Sequence, residues 1–250
     1  MTDNKLIDEN GIRKDGRKAD TLRPISMQVG VLKRADGSSY VEWGKNKILV
    51  GVYGPKELHP RYKQDATKAQ VRCYYRMASF SVSDRKRPGP SRRAQEISKI
   101  VSEALESVVI AENFPRTVID VFIEILEADA GTRCAGLTAA SLALADAGIP
   151  MRCLVPSCAV GKIDGQIVVD LMKEEDNIGD ADLPLAIHPK TDDIVLMQMD
   201  GNMTQEELLR ALEMGVKACH QVHDLQREAL RSSYTDADMD DFEEVVMDDQ

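Results

Sequence analysis

The chain has 250 residues, 43% of them hydrophobic, enough to bury a full core as one large domain or two small ones. No apolar stretch nears the length of a membrane span, and Met1 to Lys18 is polar without a secretion signal's apolar segment, so a cytoplasmic protein is expected. Cys73, Cys134, Cys153, Cys158, Cys219 and the four histidines fall into no metal-binding spacing, which argues against a Cys/His centre and for reduced core thiols.

The net charge of −10 is unevenly placed. Eight of the 42 acidic residues lie between Asp236 and Gln250, leaving 34 against 32 basic residues in the body. That segment reads as a disordered, self-repelling tail, with Phe242, Val245 and Val246 as possible anchors on a partner. The cations are clumped: Arg85 to Arg93 holds five and no acid, and Arg61, Lys63, Lys68, Arg72 and Arg76 form a looser group. Overall acidity therefore does not exclude a nucleic-acid partner.

In chain order, strands are expected over 23–30, 39–43 and 47–53, with a turn at Asp36-Gly37. Gly54-Pro-Lys-Glu-Leu-His-Pro60 is expected to break the pattern and open a polar loop to about Lys68, before a strand over 71–80. Ser91 is a candidate N-cap for a helix whose buried face is Ile97, Ile100, Val101, Ala104, Leu105 and Val108. A strand over 117–126 leads into a helix of small residues, closed by Gly148 and Pro150. Residues 158–163 and 166–170 flank Asp164-Gly165 as a hairpin, and strands are expected over 183–187 and 194–199. Thr204-Gln-Glu-Glu207 is a capping box opening a helix to about Arg231, with Leu208, Leu212, Val222 and Leu225 inside. Strands first and helix last in both halves imply a duplicated α+β unit, fused because no Gly/Ser-rich linker divides the halves.

Three clusters carry chemistry. Glu127-Ala-Asp-Ala-Gly-Thr-Arg-Cys-Ala-Gly136 puts a glycine, a hydroxyl and a guanidinium where a strand turns into a helix, which makes an anion site, phosphate first. A tight turn with a surface arginine would look the same. Glu174-Glu-Asp-Asn-Ile-Gly-Asp-Ala-Asp182 crowds five carboxylates before a buried strand. Asp176 and Asp182 could converge if the segment loops back through Gly179, to protonate a leaving oxygen or hold Mg²⁺; a solvated acidic loop is the plain alternative. Arg92-Arg93 opens a helix against its dipole, which an external anion explains better than folding does, although a basic loop serving solubility remains open.

These clusters, with the Asp15-Gly-Arg17 opening, Gly54-Pro-Lys-Glu-Leu58, and Ser91-Arg-Arg-Ala-Gln-Glu-Ile97, follow in the order found in the RNase PH family of phosphorolytic 3′→5′ exoribonucleases. The likeness runs from Gly11 to about Arg231 and is strongest to the catalytic ring subunits of archaeal exosomes. It implies an RNase PH-like body over 19–231, built as two pseudo-repeats (about 19–150 and 151–231) of βαβ-type units like ribosomal protein S5 domain 2. A polar arm (1–18) would precede it and the acidic tail (232–250) would follow. It implies inorganic phosphate as co-substrate on Gly131, Thr132, Arg133 and Cys134, the last through its backbone N–H. Arg92 and Arg93 would grip the RNA 3′ end, Arg61 would line a central passage, and Asp176 and Asp182 would be the catalytic pair and the ligands of Mg²⁺. The implied partners are single-stranded RNA, a related non-catalytic ring subunit alternating in a hexamer, and RNA-binding caps.

Three rivals are a homo-oligomeric RNase PH trimming tRNA, a non-catalytic RNA-binding ring subunit, and an unrelated metal-dependent hydrolase. Arg61 and Arg92-Arg93 favour the exosome branch over the first. Retention of Arg133, Asp176 and Asp182 speaks against the second, and phosphate-independent turnover would mark the third.

Overall fold

The structure is a computed structural model that describes residues 5–8 and 11–247, with side chains to 234. The first sheet contains β1 (Ile25–Val29), β2 (Gly37–Trp43), β3 (Asn46–Glu57), β4 (Gln70–Met77) and β5 (Thr117–Glu127), in the order β1-β2-β3-β5-β4. All its pairings are antiparallel except β4 with β5, which are joined through α1 (Arg92–Val108) as a βαβ unit. Helix α2 (Thr132–Asp146) follows β5. The second sheet orders β10 (Asp200–Gly201), β8 (Ala181–His188), β6 (Ser157–Ile163) and β7 (Gln166–Val169), with β9 (Asp193–Met197) also on β8. Here β7 and β8 both lie antiparallel to β6, so β7, the short helix α3 (Lys173–Ile178) and β8 make a split βαβ unit. Helix α4 (Gln205–Met247) closes the fold.

Local rules account for most elements. Ser91 caps α1 by accepting from the Ala94 N–H at 3.1 Å, and Ile97, Val101, Ala104, Leu105 and Val108 form its buried face, with Ile100 at the margin. Asp164 and Gly165 turn the β6–β7 hairpin with positive φ angles of 48° and 75°. Thr204 and Glu207 exchange the two hydrogen bonds of a capping box. Helix α2 is apolar around its circumference, because it lies between the first sheet on one side and β6 and α4 on the other. A single core runs through both halves, so the body is fused.

Four expectations need correction. Gly54-Pro55 does not end its strand: the β3–β5 register shifts between Tyr53 and Lys56, and pairing resumes at Val118 and Thr117, an irregularity that admits proline inside a central strand. The acidic segment is not a loop but turns once as α3, held by the buried Glu175. The buried positions of α4 are Ala211, Gly215, Ala218, Cys219, Val222 and Gln226, with Leu208, Leu212 and Leu225 only half-buried. Small residues face inward because the helix lies close to β8; a Cβ on Gly215 would meet Leu185 Cδ2 at 2.8 Å. The helix also runs to Met247, past its expected end at about Arg231, with no glycine or proline after Gly215 to stop it.

The arm is likewise more than polar. Leu6 and Ile7 are buried against Ile163, Val168 and Leu171, and their N–H groups donate to Asp164 Oδ2 at 2.7 and 3.2 Å.

Candidate active site

A cavity of about 660 Å³ opens where the two halves meet, lined by α1, the start of α2, α3, β8 and the β9–β10 segment. The chain enters it through Ala130 and Gly131, both left-handed with φ of 58° and 65°, so that α2 begins abruptly beneath the opening. No side chain caps α2, which leaves the first-turn N–H groups and the positive end of a fifteen-residue helix facing the cavity. Gly131, Thr132, Arg133 and Cys134 all line it, as the sequence leads one to expect. Burial pushes the Cys134 thiol up to about 12, so it stays neutral. Thr132 is held from behind by a 2.8 Å hydrogen bond between its hydroxyl and that of Tyr75.

Across from this cradle stand Asp176 on α3 and Asp182 on β8. Burial, reinforced by neighbouring Asp176, lifts the Asp182 carboxyl to about 7 against the pull of Arg133 and Arg93. Asp176 is also raised, by burial first and then by Asp200, although Arg93 pulls it down. Two buried atoms in these walls have no hydrogen-bond partner, Asp182 Oδ1 and Arg133 Nε. An acceptor and a donor left orphaned on one cavity call for a polar ligand bearing both functions or a cation beside it.

Arg93 lines the cavity from the first turn of α1, while its neighbour Arg92 is exposed and outside the lining. Arg61 is elsewhere. It occupies a 3-10 turn (Arg61–Lys63) beyond Glu57, which pairs with Thr117 at the start of β5, whereas the cradle follows the end of β5. Eleven strand residues separate the two ends by about 33 Å. The structure thus brings together Gly131, Thr132, Arg133, Cys134, Arg93, Asp176 and Asp182, and leaves Arg61 and Arg92 outside.

Gln198, Glu96 and Asp200 also line the cavity and are absent from the sequence-derived candidates. Gln198 accepts from Arg133 Nη1 and donates to Glu96 Oε1 at 3.0 Å; Arg133 Nη2 also reaches Glu96, at 3.4 Å. This pair aims the guanidinium and keeps its two outer nitrogens occupied. Asp200 sits opposite Asp182 in the β8–β10 register, a third carboxylate whose repulsion favours a proton or a cation on the group. Its only sequence signal is the Asp200-Gly201 turn pair.

A helix terminus open to an anion and facing paired carboxylates is an arrangement suited to phosphoryl transfer. Residues 21–150 match domain 1, and residues 153–218 domain 2, of the 3′ exoribonuclease family, RNase PH. The chain belongs to the RNase PH family of phosphorolytic 3′→5′ exoribonucleases. It is similar to the exosome complex component Rrp41 of Thermoplasma acidophilum, with 59% identity over 239 residues and 96% of each chain covered. The Rrp41 proteins of Thermococcus onnurineus and Pyrococcus furiosus are 62% and 61% identical, over 93% and 92% of each chain. Among solved structures, rice Rrp46 superposes with a TM-score of 0.77 at 24% identity, covering 86% of this chain and 98% of that one, and so supports the fold.

Proposed function

We propose that this chain is the catalytic ring subunit of an archaeal exosome and degrades single-stranded RNA from its 3′ end, with inorganic phosphate as the attacking group. One observation carries the reading: the cavity offers two separate sets of anion-binding groups, the α2 terminus with Arg133 and the guanidinium of Arg93, against the raised carboxylates of Asp176 and Asp182. A hydrolase has to hold one phosphoryl group. An enzyme that brings free phosphate against a phosphodiester has to hold two.

In this reading phosphate rests on the N–H groups of Thr132, Arg133 and Cys134, with Arg133 Nε supplying a further donor. Arg93 neutralises the terminal phosphodiester. An oxygen of the bound phosphate forms a new bond to the last phosphorus, and the bond from that phosphorus to the ribose 3′ oxygen breaks. The leaving oxygen takes a proton from Asp182, whose carboxyl is protonated in part at neutral pH, and a nucleoside diphosphate departs. The reverse reaction would extend RNA from nucleoside diphosphates.

Mg²⁺ fits the site as a two-carboxylate ion. No group of three or more His, Cys, Asp or Glu among the described residues is placed to hold a metal, but Asp182 Oδ1 lacks a partner and Asp176 stands beside it. A hard cation of this kind takes one or two carboxylates and fills its remaining positions with water and substrate phosphate. Such an ion would take the place of the proton, neutralising charge on the departing oxygen while Asp182 stays ionised as its ligand.

The similarity to exosome complex components supports assembly with an RNase PH-like ring partner; an alternating hexamer with a non-catalytic subunit, RNA-binding caps above it and a cytoplasmic setting complete the proposal. Among the described residues no helix is long and apolar enough to cross a membrane. Arg61, far from the cavity, would touch RNA well upstream of its end, and Arg92 would meet it at the cavity mouth. The test is to assemble the chain with its ring partner and supply Mg²⁺, phosphate and 5′-labelled RNA. Nucleoside diphosphates are expected, and monophosphates released without phosphate would refute the reading.

A further inference from the structure

Arg13 lies in the N-terminal arm, outside the cavity, yet all three of its side-chain nitrogens are bonded. Its side chain and that of Glu175 are both fully buried, and the two form a forked pair: Nε donates to Glu175 Oε1 at 2.7 Å and Nη2 donates to Oε2. Nη1 donates to the Val169 carbonyl at 2.7 Å and Nη2 to that of Asp170 at 2.9 Å. Glu175 Oε2 also accepts from the Met172 N–H at 2.9 Å, which fixes the start of α3. The next residue is Asp176.

Helix α3 cannot hold its own position. Six residues are too few for a stable isolated helix, and Glu175 is its only buried side chain, so no apolar face docks it. A buried ion pair is in itself a poor source of stability, which leaves geometry as the asset it provides. The same network reaches the opposite wall. The Asp170 carboxylate accepts from Arg23 Nη2 at 2.7 Å and from Trp43 Nε1 at 3.0 Å, and Arg23 Nη1 donates to the Asp129 carbonyl at 2.6 Å, two residues before Gly131. A chain of hydrogen bonds, running through the Asp170 and Asp129 carbonyls as well as the buried charges, thus links Glu175 on α3 to the segment that enters the cradle.

We propose that Arg13 is a positioning residue: its grip on Glu175 and on the end of β7 sets the place of Asp176 relative to the cradle. The proposal rests on Asp176 being a working carboxylate.

The test compares Arg13→Met/Glu175→Leu, Arg13→Lys and Asp176→Asn, each assembled with the ring partner. Melting temperature, kcat and the KM for phosphate are measured. The apolar pair removes both buried charges together with the bonds to the Val169 carbonyl and from the Met172 N–H, so it is expected to melt somewhat below the parent, with phosphate KM unchanged because Arg23 still holds the cradle. Its kcat should fall roughly 10- to 100-fold. Parental kcat in that variant, beside an inactive Asp176→Asn, would overturn the proposal alone. Parental kcat in Asp176→Asn would overturn the reading of Asp176 and this proposal with it. If the apolar pair fails to assemble, Arg13→Lys decides, since it keeps the charge but not the fork: a kcat loss at unchanged KM supports positioning, and parental kcat refutes it.

Discussion

At Asp182 the needs of folding and of the proposed chemistry conflict. Its carboxyl is raised from 3.8 to about 7, so the folded state holds the proton more tightly than the unfolded chain does. The penalty is absent below pH 4, grows as pH rises, and is complete above about 7, where it reaches up to about 4 kcal/mol. Asp182→Asn should therefore melt higher than the parent at pH 8 and no higher at pH 4, while losing turnover. A gain of equal size at both pH values would mean that the proton is not the cause. Cys134 is the contrasting case. Its thiol is neutral and buried, and its expected part is a backbone N–H, so Cys134→Ala should leave the KM for phosphate at the parental value. A raised KM would implicate the sulfur.

The start of α2 depends on one conformational requirement. Gly131 has φ of 65°, and a Cβ there would lie 3.3 Å from Arg23 Nη2, the nitrogen that holds Asp170. Gly131→Ala should cost about 1 kcal/mol of stability from the left-handed backbone alone and raise the KM for phosphate; steady-state kinetics at saturating RNA would read it. An unchanged KM would remove the cradle's fine geometry from the binding step. This element was legible in the chain because its cause is local: an apolar strand, a glycine and small helix formers in one run. The caps of α1 and α4 and the β6–β7 turn were legible for the same reason. What escaped depends on pairing between distant segments. Asp200 reaches the site only because β10 pairs with β8, and Gln198 only because the chain crosses to Arg133, 65 residues away. The α3 helix needs Glu175 to meet Arg13, 162 residues earlier, and nothing in the local run of acids foretells that. Nor could composition show that α4 would approach β8 closely enough to prefer Gly215 and Ala218 over leucines.

Over the whole molecule, the cations inferred to guide RNA lie at two levels. Arg93 is within the cavity and Arg92 is exposed beside it, while Arg61 is 80% exposed at the far end of β5, with Glu57 as its ion-pair partner at 3.3 Å. Surface pairs of this kind are weak, so Arg61 is free to exchange its carboxylate for a passing phosphate. Backbone contacts by exposed arginines contribute affinity in a salt-dependent, sequence-independent way. Arg92→Glu should accordingly weaken the binding of any RNA and flatten its dependence on salt. Arg61→Glu should act differently, because the roughly 33 Å of β5 that separate it from the cradle exceed the reach of a very short oligonucleotide. In the assembled ring it should slow the degradation of long RNA at low salt and leave phosphorolysis of a trinucleotide at the parental rate. Equal slowing of both would place Arg61 in the stability of the assembly instead of along the path of the RNA.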